Sequence, residues 1–158
     1  LFLYIYIKKI INRMEEYLMA KKKVCISFDY EHDKNYKYLL KAWDANSDFD
    51  FSFNDVTPTE INSDNYSRVK AVITERIKSA AYLLVIVGKH ANDEHPRRYE
   101  IGCRNWINWE IKKAKELGKK LVAVKIDKYY ESPDELLCSG ASWASFSEEG
   151  IINALKNA

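Results

Sequence analysis

Hydrophobic and polar positions along the chain switch between a period of two and a period near 3.6, and the switches predict the elements. Val24-Cys25-Ile26-Ser27-Phe28 is a short, β-branched, apolar run closed by polar Asp29-Tyr30-Glu31-His32-Asp33, the pattern of a buried strand and its loop. Helical spacing follows from about Asp33 to Ala45, with Tyr36, Leu39, Leu40 and Trp43 at core positions and Asp33 or Asp29 as the cap. Phe49–Phe53 alternates with acids and serines as a second strand, and Asn54-Asp55-Val56-Thr57-Pro58 follows as a loop. A second helix is expected from about Tyr66 to Ser79, capped by Asp64 or Asn65, with Val69, Val72, Ile73 and Ile77 inward.

Tyr82–Val87 is the most apolar run and reads as the central strand. Gly88–Cys103 is a polar connection of a length that usually carries function. Asn105 can cap a helix that Gly118 ends, and Ile107, Ile111, Ala114 and Leu117 mark its buried face. Leu121–Ile126 is a fourth strand, and Asp127–Ser139 is irregular with one helical turn after Pro133. Ser142–Phe146 reads as a short edge strand and Glu148–Asn157 as a closing helix.

Strand and helix alternate throughout. That predicts an α/β fold of flavodoxin-like type: one doubly wound domain over 21–158, with a central parallel sheet of about five strands and helices on both faces. Ligands in such folds bind outside the carboxyl ends of the strands, where the strand order reverses. The loops after Phe28, Phe53 and Val87 land there, as does the start of the helix carrying Trp106, Trp109 and Glu110.

The remaining 1–20 open with the apolar Leu1–Ile7, too short for the roughly 20 residues that span a bilayer. Charges follow this run instead of preceding it, the reverse of a signal peptide. Met19-Ala20-Lys21 has the look of a native start, which would make 1–20 an extension; if present, Ile7–Leu18 can form a short helix.

Composition narrows the chemistry. The 158 residues are 47% hydrophobic and 30% charged with a net charge of +2, which favours a globular domain and gives no reason to expect a nucleic-acid or membrane partner. Three cysteines without a CxxC pair and three histidines without ligand spacing predict neither a disulfide framework nor a metal site, and fit a cytoplasmic protein. The first loop, Asp29-Tyr30-Glu31-His32, has no glycine and is anionic, so it does not cradle a flavin phosphate or a dinucleotide pyrophosphate. Gly88-Lys89 stands where a phosphoacceptor receiver domain would need an aspartate, and no Gly-x-Ser-x-Gly elbow occurs. On its own helix, Glu110 reads either as a surface acid paired with Lys113 or as a carboxylate in an aromatic-walled pocket.

Three stretches resemble the TIR-like domain of the ThsB proteins of bacterial Thoeris anti-phage systems: Lys23–Asp33, Ala81–Gly88, and Asn105–Ile111 with Gly118–Val124. The resemblance covers about Lys22 to Ala158, and its most specific piece is Trp106-Ile107-Asn108-Trp109-Glu110. It implies cleavage of the nicotinamide–ribose bond of NAD, which is substrate and not cofactor, with Glu110 as the catalytic carboxylate. Phe28, Tyr30, Trp106 and Trp109 would then stack on the substrate's rings. Ser27, Asp29, His32 and Asp55 would orient sugar hydroxyls or the amide, and Lys89 or Arg104 would meet the pyrophosphate. The implied partners are other TIR copies, a phage-derived trigger and a separate ThsA-like effector activated by a cyclic ADP-ribose-type messenger. Two alternatives stay open: a non-catalytic TIR assembly module, and an enzyme akin to nucleoside deoxyribosyltransferases.

Overall fold

Parallel strands need crossovers, and helices supply most of them. A computed structural model describes residues 2–19, 21–46, 50–55 and 64–158. Among these, α1 (Phe2–Met19) precedes β1 (Lys22–Ser27), α2 (Tyr30–Asp44) and β2 (Phe51–Asp55). Then come α3 (Tyr66–Lys78), β3 (Tyr82–Val87), α4 (Arg98–Ile101), α5 (Trp106–Glu116) and β4 (Lys120–Lys125). A 3-10 turn (Asp134–Leu136), β5 (Ser142–Ser145) and α6 (Glu148–Asn157) complete the chain. The five strands form one parallel sheet in the order β2-β1-β3-β4-β5. The order reverses between β1 and β3, where Val24–Ser27 pair with Tyr82–Val85.

Because strand side chains alternate, each strand feeds two cores. Cys25, Leu83, Val85, Val87, Leu121 and Ala123 pack with α3 and α5 on one face. Val24, Ile26, Phe51, Phe53, Leu84, Ile86, Val122 and Val124 pack with α2 and α6 on the other. β3 is buried at every position, as its unbroken apolar run predicts.

Several local expectations shift. Helix α2 begins at Tyr30, because Asp29 caps it by accepting the Glu31 N–H at 3.0 Å. Asp33, expected as a cap, lies inside the helix and is buried. Leu39, expected in the core, sits at the rim of the apolar stripe and is 47% exposed. Asn65, and not Asp64, caps α3. The second strand runs two residues later than expected, and the notional Phe49 start, Val56–Pro58 and most of the following loop lie outside the described residues. Gly118 adopts φ 66°, the left-handed turn that ends α5. The N-terminal helix is longer than Ile7–Leu18, and Phe2–Glu15 are exposed along it. No helix among the described residues is long and apolar enough to cross a membrane.

Candidate active site

At the carboxyl ends of β1 and β3 a crevice of about 380 Å³ opens. It is lined by Phe28, Asp29, Tyr30 and Glu31 after β1, by His90, Asp93, Glu94, His95 and Pro96 in the connection after β3, and by Asn105, Trp106 and Ile107 at the start of α5. A second hollow of about 360 Å³ borders Lys23, Ser79 and Ala80, at the amino ends of β1 and β3, the side of such sheets where ligands do not bind.

The carboxyl-end crevice is assembled by strand parity. Ser27 has the same parity as Cys25 and therefore faces α5. Its hydroxyl donates to Oε2 of Glu110, and both residues are buried, at 1% and 2% exposure. Glu110 stands one turn beyond Trp106 at the crevice end, and Ser27 immediately precedes Phe28 in the crevice wall. The pairing of Glu110 with Lys113 does not form: Lys113 Nζ meets Glu116 at 2.5 Å and lies 5.5 Å from the Trp109 ring centre.

A lattice of buried amides fixes the helix that carries Glu110. Asn105 caps α5 by accepting the Asn108 N–H at 2.9 Å, and its own amide donates to the carbonyls of Ala91 and Asp93 at 3.0 and 2.8 Å. The Asn108 amide donates to Asn92 Oδ1 and Asn105 Oδ1, both at 3.0 Å, and its oxygen accepts the Glu135 N–H at 3.0 Å. Asn92 in turn donates to Glu131 and Asp134. The start of α5, the long connection after β3 and the 3-10 turn are thereby one hydrogen-bonded unit.

The residues singled out in the sequence divide in two. Phe28, Asp29, Tyr30 and Trp106 line the crevice. Phe28 is buried against the α2-side core as well, its ring 6.3 Å from that of Tyr30. Trp106 meets Tyr66 at 5.4 Å and Trp109 at 6.0 Å, both edge-on. Trp109 is not part of the wall; it packs on the α5-side core. His32 is exposed and outside the lining, its Nδ1 2.9 Å from Asp29 Oδ2, and this hydrogen bond raises its pKa. Lys89 is exposed and outside the lining, and Arg104 Nε donates to the Asn92 carbonyl at 2.6 Å. The Asp55 side chain lies outside the described residues.

Sequence reasoning missed His90 and Asp93, whose Nδ1 and Oδ2 stand 2.7 Å apart, and the stacking of His90 on His32 at 4.1 Å between ring centres. A His and an Asp three apart, directly after the central strand, was the available signal. It also missed the Asn92–Asn105–Asn108 lattice, for which an asparagine inside a helix was the clue. Among the described residues no group of three His, Cys, Asp or Glu side chains is set to hold a metal ion.

The fold is similar to that of 2-desoxiribosyltransferase from Leishmania mexicana: TM-score 0.52, 16% identity, 85% of this chain and 97% of that chain covered. No curated protein matches the chain. The family described as "Thoeris protein ThsB, TIR-like domain" matches residues 25–130, which hold the second half of β1, all of β2, β3 and β4, the crevice lining and Glu110. This chain belongs to that family, the TIR-like domain of Thoeris defence.

Proposed function

We propose that this Thoeris domain cleaves the nicotinamide–ribose bond of NAD, with Glu110 as the catalytic carboxylate. The observation that carries the reading is a buried Glu110 that accepts the Ser27 hydroxyl behind the crevice lining, one turn along α5 from Trp106, which lines it. Nicotinamide leaves a cationic substrate as a neutral base, so the leaving group needs little acid help. The demand falls on the ribose, where positive charge develops, and a fixed carboxylate in a site shielded from water answers it. Phe28, Tyr30 and Trp106 offer faces and edges for planar rings. The lining fits this polarity: Asp29, Glu31, Asp93 and Glu94 suit an entering pyridinium, and among the described residues no lysine or arginine joins them. The pyrophosphate would therefore stay at the mouth, where Lys89 is within the same connection.

In this reading the chain acts in the cytoplasm, assembles through TIR contacts, responds to a phage-derived trigger and releases a cyclic ADP-ribose-type product to a separate effector. The test is mass spectrometry of small molecules from cells expressing the chain, with and without phage, beside Glu110→Gln. A Glu110-dependent species derived from ADP-ribose is the expected result. Unchanged NAD with defence intact in Glu110→Gln would favour an assembly module, and base exchange between deoxynucleosides would favour a deoxyribosyltransferase.

A further inference from the structure

The part of the crevice lining that follows β3 carries a pair that NAD cleavage by Glu110 leaves unused. His90 Nδ1 and Asp93 Oδ2 are 2.7 Å apart, and both residues line the crevice. A carboxylate only accepts, so Nδ1 carries the proton and Nε2 of the neutral ring carries the lone pair. A second neighbour also touches the ring: His32 stacks on it at 4.1 Å, and His32 is itself held by Asp29 at 2.9 Å. The carboxyl of Asp33 lies within the electrostatic reach of both imidazoles. An imidazole whose tautomer and plane are both fixed by its neighbours is the arrangement a general base needs.

Resting on the NAD reading, we propose that His90, oriented by Asp93, is the base that takes the proton from the nucleophile, and that the nucleophile is an O–H group. As the C1′–N bond breaks, its electron pair leaves with the nicotinamide nitrogen. An oxygen lone pair of water or of a sugar hydroxyl forms the new bond to C1′. The proton of that oxygen passes to His90 Nε2, and the imidazolium, paired with Asp93, later returns it to solvent. Each turnover yields nicotinamide, an O-linked ADP-ribose product and one proton. A ring nitrogen attacking through its lone pair would need no such base.

The test separates bond breaking from capture. Purified full-length protein, with and without extract of phage-infected cells, is given NAD and labelled nicotinamide. Label entering NAD reports reversible C1′–N cleavage, and ADP-ribose-derived products report capture. His90→Gln keeps an N–H for Asp93 but cannot take up the proton; the ratio of product to exchange should fall about tenfold or more. Asp93→Asn should move it the same way to a smaller extent and decides the matter if His90→Gln fails to fold by circular dichroism. Water as acceptor gives the linear product, and a sugar hydroxyl gives the cyclic one, lighter by one water. Equal losses of exchange and product, or no change in either, would overturn the proposal while leaving NAD cleavage standing. A wild-type protein showing neither exchange nor product would instead remove the NAD reading, and this proposal with it.

Discussion

Two buried carboxyls sit on opposite faces of the same sheet, and the structure treats them differently. Glu110 lies on the α5 side, where the Ser27 hydroxyl at the end of β1 donates to it. Asp33 lies on the α2 side, packed onto Gly88 at the end of β3, and its Oδ2 has no hydrogen-bond partner. Burial, with help from the negative charge of Asp29, pushes the Asp33 pKa from 3.8 to about 6. Strand parity explains the contrast. Ser27 and Gly88 both end a strand at the point where strand order reverses, but Ser27 faces α5 with a donor, whereas Gly88 meets α2 with no side chain at all. The α5 face is built to hold a carboxylate; the α2 face only makes room for one.

The largest expected effect separates function from stability at Glu110. Glu110→Gln keeps the shape and an oxygen for the Ser27 hydroxyl but removes the charge. Nicotinamide release should fall by about 10³-fold, the scale of losing a preorganised electrostatic contact, while the melting temperature moves little. Equal turnover in the two proteins would remove Glu110 from the chemistry.

Next comes the room made for Asp33. A Cβ added at Gly88 would stand 2.0 Å from Asp33 Oδ2 and 2.5 Å from its Cγ. Gly88→Ala should therefore destabilise by about 2–3 kcal/mol, a typical overpacking cost. Asp33→Ala in the same chain should recover much of the loss, and denaturant midpoints of the four proteins would give the coupling. Additive effects would mean that the contact is not what Gly88 serves.

Asp33→Asn should stabilise, and only above acid pH. A folded-state pKa raised to about 6 means that the fold holds the proton more tightly than the unfolded chain does. Below about pH 3 the group is protonated in both states and costs nothing, whereas ionisation at higher pH weakens the fold. The variant should gain about 1–3 kcal/mol over wild type at pH 7.5, and that gain should vanish by about pH 3. A gain independent of pH would show that packing, and not charge, separates the two carboxyls.

Much of this contrast was legible before the structure, but not all. The strands, the Asn105 cap, the Gly118 stop and the role of Tyr82–Val87 follow from short-range pattern, because caps and periodicity act within a turn or two. The position of Glu110 beside the strand ends followed from topology. The fate of Asp33 did not: an acid four residues after Asp29 reads equally well as a cap, and its burial depends on Gly88, 55 positions away in the chain. The amide lattice of Asn92, Asn105 and Asn108 was illegible for the same reason, since its partners Glu131, Asp134 and Glu135 come from a segment with no periodicity. The stacked His32 and His90 come from two loops that only the sheet brings together.

The smaller loss of turnover is expected at Ser27, and it tests what one hydroxyl contributes. Ser27→Ala removes the donor to Glu110 in a buried position without changing the backbone. A hydrogen bond to a buried charged group contributes about 1.5–3 kcal/mol, so the melting temperature should fall by several degrees. Turnover should fall less than in Glu110→Gln, by about tenfold, because the carboxylate stays but is less firmly placed. If the hydroxyl only positions Glu110, Ser27→Ala should have no further effect on turnover in a Glu110→Gln background. Independent losses would mean that Ser27 touches the substrate itself, and the α5 face would then hold two catalytic groups where one is assigned.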